Sequence, residues 1–240
     1  MLCLDIISQP GKKFAMLIDP DKHNIQSLIT TVYAANEAGV HIILVGGSLV
    51  SDRIDKTIET IKKYTEIPVV LFPGSLLQLS NKADAALLLS LISGRNPDYL
   101  IGNHVLAAPY LKQSGIEIIS TGYILIEGGN TTSVEYISNT KAIPADKADL
   151  VCATAMAGEL LGMKCLYLES GSGAEKPISK ELIFKVKQKV GIPIIVGGGM
   201  RTVNDVETAL MAGADIVVVG NALERDINKI HKMVQVVNNF

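Results

Sequence analysis

No apolar run in the 240-residue chain reaches the roughly 18 residues that a membrane-spanning helix needs. Cysteine is scarce too. Cys3, Cys152 and Cys165 are too few and too widely spaced for a disulfide framework or a thiolate metal site. They read as reduced, mostly buried residues. No charged-then-apolar leader opens the chain, so the expected location is cytoplasmic. The net charge of −2 supplies no broad basic footprint, which argues against a nucleic-acid partner. It leaves room for a local anion site, because backbone N–H groups can build one without charge. The four histidines, His23, His41, His104 and His231, show no metal-ligand spacing and read as structural or surface residues. No G-x-G-x-x-G fingerprint is present, and Gly197-Gly198-Gly199 does not make one.

Apolar residues, by contrast, make up 48% of the chain, enough for a large core. They fall into short, near-continuous runs, as expected of strands buried on both faces. The runs are Phe14 to Ile18, His41 to Val45, Pro68 to Phe72, Ala85 to Leu89, Glu117 to Ile126, Lys164 to Leu168, Ile192 to Val196 and Asp215 to Val219. Helical patterns separate them. They include Asn24 to Gly39, Asp52 to Tyr64, Ala145 to Leu161, Ser179 to Val190, Thr202 to Ala212 and Leu223 to Val237. Eight such alternations in one chain of this length predict a single α/β domain over residues 1–240, a (β/α)₈ barrel. An open, doubly wound sheet is the competitor. Asp98 to Ser114 also reads as helical, but Pro109 removes a donor inside it, so a kinked or split helix is expected after strand 4. Asn130 to Pro144 reads as a long polar loop, mobile or functional. The Ala, Met and Cys content of Ala145 to Leu161 suggests burial on several sides.

In a parallel barrel the chemistry collects at the C-terminal ends of the strands. Tyr167-Leu168-Glu169-Ser170-Gly171-Ser172-Gly173 is a strand running into a glycine-rich loop. Gly197-Gly198-Gly199 and Gly220-Asn221 repeat that format at strands 7 and 8, the usual position of a barrel phosphate site. Glu169 reads as a general base or as an orienting group for a polyol. Glu127, in Glu-Gly-Gly, fits an ordinary turn as well. Asp19-Pro20-Asp21-Lys22 fits a Mg²⁺ site, which takes carboxylates plus substrate phosphates, and equally an Asp-Pro turn entering a helix cap. Ser48 reads as a helix cap or a phosphate contact. Tyr99 and Tyr110 are candidates for the wall of an apolar groove, and Arg95 and Arg201 for anion contacts. An aldolase is a poor fit, since Lys164 lies at the wrong end of its strand for a Schiff base. Other phosphate-binding barrel enzymes, and a barrel that binds a phospho-metabolite without chemistry, remain alternatives.

Taken in order, Leu17-Ile18-Asp19-Pro20-Asp21-Lys22, Val45-Gly46-Gly47-Ser48, Phe72-Pro73-Gly74, Tyr167 to Gly173, Val196-Gly197-Gly198-Gly199-Met200-Arg201 and Val219-Gly220-Asn221-Ala222 resemble the geranylgeranylglyceryl phosphate synthase family. That family also includes heptaprenylglyceryl phosphate synthases. The resemblance covers essentially the whole chain. It implies a TIM barrel that joins a prenyl diphosphate to the 3-hydroxyl of sn-glycerol 1-phosphate through an ether bond, releasing diphosphate. It implies Mg²⁺ at Asp19 and Ser48. It implies that Tyr167, Leu168, Glu169, Ser170, Gly171, Ser172 and Gly173 wrap the glycerol phosphate. Gly198, Gly199, Gly220 and Asn221 would hold the phosphate, and Glu169, with Tyr167 beside it, would take the proton of the attacking hydroxyl. Some members carry a lysine two residues before the metal Asp. This chain has Leu17 there, which leans towards a geranylgeranyl donor. Tyr99 is then a candidate ruler for the prenyl tail. The resemblance also implies a homo-oligomer, and a lipid-precursor product makes loose membrane association plausible.

Overall fold

Eight parallel strands close on themselves in chain order, from β1 next to β2 round to β8 next to β1. This arrangement comes from a computed structural model that describes residues 2–51 and 54–240. The strands are β1 (Lys13–Ile18), β2 (Ile42–Val45), β3 (Val69–Leu71), β4 (Ala85–Leu91), β5 (Glu117–Leu125), β6 (Cys165–Glu169), β7 (Ile194–Gly197) and β8 (Ile216–Val219). Closure is carried by the register Lys13↔Ile216 to Met16↔Val219 between β1 and β8. The open-sheet alternative is thereby excluded.

Alternation along each strand sorts the apolar residues into two cores. Ala15, Ile42, Leu44, Val70, Leu87, Ile119, Cys165, Ile195 and Val218 fill the barrel. Phe14, Met16, Ile43, Val45, Leu166, Leu168, Val196 and Val217 pack outward against the helices. Both faces are buried, which is why the strands lack a polar alternation.

The helices are α1 (Cys3–Ser8), α2 (Ile25–Ala38), α3 (Ile54–Tyr64), α4 (Asn103–Ser114), α5 (Ser133–Ser138), α6 (Ala148–Leu160), α7 (Lys180–Lys187), α8 (Val203–Met211), α9 (Asn221–Arg225) and α10 (Lys229–Val237). Asn24, Ser179 and Thr202 cap α2, α7 and α8 through their side-chain oxygens. Gly39 ends α2 in the left-handed region at φ 78°. The first two residues of the helix expected over Asp52 to Tyr64 lie outside the described residues. α1 carried no sequence signal. It plugs the N-terminal mouth of the barrel, with Cys3, Ile6 and Ile7 in the interior core.

Four expectations change in detail. The split after β4 is present, but it falls at Gly102, where a π-helical turn over Asp98–Gly102 passes into α4. α4 continues through Pro109. Val105, one turn earlier, is largely exposed, so water can take the carbonyl that Pro109 leaves without a donor. The stretch from Asn130 to Pro144 is ordered by α5, a Thr132/Glu135 capping box and a bridge between Ile126 and Ile143. α6 is buried along one face only, through Val151, Cys152, Ala155 and Gly158, with Leu150 and Leu160 exposed. The last helix is two, because Asp226 is extended and its carboxylate accepts from the Asn228 amide, breaking the run.

Candidate active site

The C-terminal ends of the strands form a rim with two distinct sectors. In the first, the loops after β6, β7 and β8 converge. Glu169 is the last residue of β6 and its Oε1 accepts the Gly171 amide at 2.6 Å. The Ser170 amide donates to Gly197 O at 3.3 Å, linking loop 6 to strand β7. Asn221 Nδ2 donates to Ser172 Oγ at 3.1 Å, linking loop 6 to α9. Arg201 reaches from loop 7 to Ala174 O at 2.6 Å.

Gly198 and Gly199 adopt φ 82° and 68°, where only glycine is at ease. A Cβ on Gly198 would run into Glu169 Oε1 and lie 2.6 Å from Ser170 Oγ. The loop therefore wraps the carboxyl at van der Waals range. Ser170 Oγ is buried and has no hydrogen-bond partner among the described residues. An anionic oxygen on these glycine loops would give it one. Together these loops and the start of the short helix α9 have the form of a barrel phosphate cradle.

Burial pushes the Glu169 carboxyl up to about 7, against the pull of the Gly171 amide and the Tyr167 hydroxyl. Tyr167 is itself wholly buried, and burial followed by the nearby Glu169 charge holds its phenol well above the usual range. Glu169 is thus a carboxyl poised near neutrality, the condition that suits a general base. Leu168 sits between these two residues in sequence, but its side chain packs in the outer core. Any contact it makes to a ligand here is through its main chain.

The second sector lies after β1 to β5. Asp19 Oδ1 accepts the Asp21 amide at 3.1 Å. Its Oδ2 faces Gly47, where an added Cβ would sit 3.4 Å away, so Asp19 lies against the loop that carries Ser48. Burial raises the Asp19 carboxyl, partly offset by the Asp21 amide. Asp21 is occupied in holding Ser51, accepting from its amide and its hydroxyl. Among the described residues no cluster of three or more His, Cys, Asp or Glu could hold a metal by itself. One carboxylate and one hydroxyl are nevertheless the donor set that fits Mg²⁺ shared with a substrate's phosphates. A soft metal would need more protein ligands.

Beside Ser48 opens an apolar groove of about 960 Å³, counting its open mouth. Its walls include Phe72, Leu87, Leu89, Tyr99, Ala107 and Tyr123. Tyr99, from the π-helical turn, is thus in the groove wall, whereas Tyr110 is not among its lining residues. Glu127 is exposed, with its amide spent on Ile143 O, and Arg95 bonds its neighbour Gly94 O.

Several contributors carried no sequence signal. Buried Gln78 bridges two strand ends, donating to Gly47 O at 2.8 Å and accepting from the Gly47 and Gly74 amides. It fixes the loop that presents Ser48. His104 contacts Ser90 Oγ at 3.1 Å and lines the groove. Glu224 on α9 has its carboxyl raised by burial and then by Asp19, so it shares that end of the rim. Only proximity in the fold reveals these.

The model of the PcrB family matches residues 7–238. The chain belongs to the PcrB family. Within it, the geranylgeranylglyceryl phosphate synthase of Chitinophaga pinensis is 52% identical over 228 residues, covering 95% of this chain and 90% of that protein. The enzyme of the same name from Thermococcus kodakarensis is 41% identical over 212 residues, covering 88% and 83%. The crystal structure of (S)-3-O-geranylgeranylglyceryl phosphate synthase from Thermoplasma acidophilum, in complex with its substrate sn-glycerol-1-phosphate, superposes with a TM-score of 0.95 at 33% identity, covering all of both chains. An N-acetylmannosamine-6-phosphate 2-epimerase from Clostridium perfringens, at 16% identity and a TM-score of 0.62, shares the fold alone.

Proposed function

We propose that this PcrB-family chain is a prenyltransferase that joins geranylgeranyl diphosphate to the 3-hydroxyl of sn-glycerol 1-phosphate and releases diphosphate. One observation carries the reading. The one buried acid among the described residues, Glu169, lies against the glycine loops and bonds Tyr167, whose ring stacks on Phe72 and Tyr123 in the wall of a large apolar groove. A polar phosphate acceptor and a long hydrocarbon donor are the two molecules that such a pair of sites fits.

Gly198, Gly199, Gly220 and Asn221 bind the acceptor's phosphate, and the loop from Ser170 to Gly173 closes over its glycerol. Anchoring the phosphate brings the 3-hydroxyl to Glu169 and makes the reaction effectively unimolecular. Glu169 takes the hydroxyl proton, and the Tyr167 hydroxyl, bonded to it, orients the carboxylate. Asp19 and Ser48 would hold Mg²⁺, which supplies Lewis-acid neutralisation of the departing diphosphate. The groove takes the tail, each buried CH₂ contributing about 0.8 kcal/mol, and Tyr99 limits its length.

The chain acts in the cytoplasm, as a homo-oligomer, with loose membrane contact when it meets its lipid donor. The exposed apolar side chains of Leu106, Leu150 and Leu160 support the oligomer. No helix among the described residues is long and apolar enough to cross a membrane.

The test is a product assay with sn-glycerol 1-phosphate, Mg²⁺ and prenyl diphosphates of several lengths, run beside Asp19→Asn. The expected result is an ether product, best with the C20 donor, dependent on Mg²⁺ and severely reduced in the variant. Binding of glycerol phosphate with no transfer from any donor would overturn the reading in favour of a phosphate-binding barrel without this chemistry.

A further inference from the structure

Gly46 and Gly47 follow β2, and Gly74 stands beside them after β3. Successive glycines leave a main chain freer than any other residues would. This free segment adjoins both groups that the prenyl-transfer reading assigns to Mg²⁺. Gly47 precedes Ser48 in the chain. The Asp19 carboxyl lies against Gly47 from the other side, with Oδ2 3.4 Å from where a Cβ would be. Whatever fixes Gly47 therefore fixes Asp19 and Ser48 relative to each other.

The main chain holds Gly46, whose amide donates to Ile18 O at 3.1 Å. Gly47 is held by a side chain. Its amide donates to Gln78 Oε1 at 3.2 Å, and its carbonyl accepts from Gln78 Nε2 at 2.8 Å. The same Oε1 accepts the Gly74 amide at 3.1 Å. Gln78 is only 2% exposed. It ends a 3₁₀ turn over Leu76–Gln78, a turn whose Leu76, followed by Leu79, lines the apolar groove. Gln78 itself is not in the groove wall. One short turn thus faces the groove with its leucines and the Ser48 loop with its carboxamide.

We propose that Gln78 is a positioning residue, whose carboxamide fixes Gly47 so that Asp19 and Ser48 together meet Mg²⁺ and the donor's diphosphate. This rests on the prenyl-transfer reading above. Gln78 acts through the main chain of Gly47 and Gly74.

The choice of side chain follows from the partners. The loop ends offer two donors and one acceptor around one buried point. A carboxamide matches all three without charge, with two lone pairs on its oxygen and an N–H beside it. Methionine would fill the space and leave both amides and the carbonyl unpaired. An ionised glutamate would keep the two acceptor bonds but set a charged oxygen against Gly47 O in a buried position. The approach also needs the glycines. A Cβ on Gly46 would run into Phe72 O and lie 3.1 Å from Gln78 Oε1, and one on Gly74 would run into Gly47 O.

The experiment titrates the full chain with inorganic diphosphate and Mg²⁺, the donor's headgroup without its tail, by calorimetry. Saturating sn-glycerol 1-phosphate is present to fill the cradle, and its own affinity is measured separately. In Gln78→Met, diphosphate affinity should fall about tenfold and the Mg²⁺ concentration for half-saturation should rise, with glycerol phosphate affinity within about twofold of wild type. Gln78→Glu keeps the size and polarity of the side chain and carries the test if the Met variant does not fold. It should show the same loss at pH 9 and regain affinity towards pH 6, where protonation returns an O–H donor to Gly47 O. A role in packing alone would lower the melting temperature and leave the folded variants with wild-type affinity for Mg²⁺ and diphosphate, which would overturn the proposal. A loss shared equally by glycerol phosphate would also overturn it, because the whole rim would then have loosened. A wild-type chain that forms no ether product from any prenyl diphosphate would instead remove the prenyl-transfer reading, and this proposal with it.

Discussion

The rim after β6, β7 and β8 is built from main chain, and the wall after β3, β4 and β5 from side chains. In the first sector, glycines at 171, 173, 198 and 199 take positive φ values, and Gly198 lies against Glu169 and Ser170 while Gly199 lies against the backbone of Lys176 and Pro177. In the second, leucines, tyrosines and one phenylalanine shape a cavity. The difference fits the two ligands of the proposed reaction. A phosphate is small, fixed in shape and satisfied by N–H groups. A prenyl chain offers nothing to hydrogen-bond and is held only by apolar area. A main-chain site tolerates almost no added atom, whereas a side-chain site can be resized. Variants in the two sectors should therefore fail in different ways.

The largest effect belongs to the carboxyl that joins the sectors. Glu169→Gln should lower kcat by about a thousandfold. In the wild type, kcat/KM should rise as pH increases through about 7 and then level off, because the base must be deprotonated. Stability should move the other way. The folded value of about 7 lies above the ordinary 4.5, so the folded state holds the proton more tightly and loses stability as pH rises through that window. Glu169→Gln should melt higher than wild type at pH 8, with the advantage gone near pH 4.5. A variant that is inactive and also less stable at pH 8 would show that the charged carboxylate is a structural anchor.

Next is the main-chain sector. Gly198→Ala needs a left-handed alanine whose Cβ meets the Glu169 carboxylate. It should cost about 2 kcal/mol, or roughly thirtyfold in glycerol phosphate affinity. Gly173→Ala has the same backbone problem at φ 79° but no neighbour within 4 Å of the new atom, so its loss should be several-fold smaller. Equal losses, read by calorimetric titration, would mean that backbone strain alone governs the cradle.

The smallest effect is a change of preference. Tyr99→Ala should lengthen the groove and raise the use of donors one isoprene unit beyond C20 by about tenfold, with glycerol phosphate affinity unchanged. That shift is the order expected from burying a few more CH₂ groups. A donor-length profile identical to wild type would remove Tyr99 as a length limit.

Much of the main-chain sector was readable in one dimension. Tyr167 to Gly173, the triple glycine and Gly220-Asn221 are contiguous motifs, and each strand end predicts where its loop must lie. The groove was readable only in outline. Phe72 and Tyr123 are 51 positions apart, and nothing in either neighbourhood signals the other. Gln78 carries no mark in the sequence until its amide is found bridging Gly47 and Gly74. Pro109 was the more conspicuous mark for a break, yet the helix changes type at Gly102.

Local periodicity and local glycine placement thus pointed to eight strand–helix units and to glycine-rich loops at three of the strand ends. Those properties depend on neighbours within a few residues, where backbone sterics act. The tertiary structure alone decided how acidic Glu169 is, which rings meet beside it and how large the groove becomes. Each of those depends on burial and on contacts between distant strands, and both arise only when β8 closes on β1.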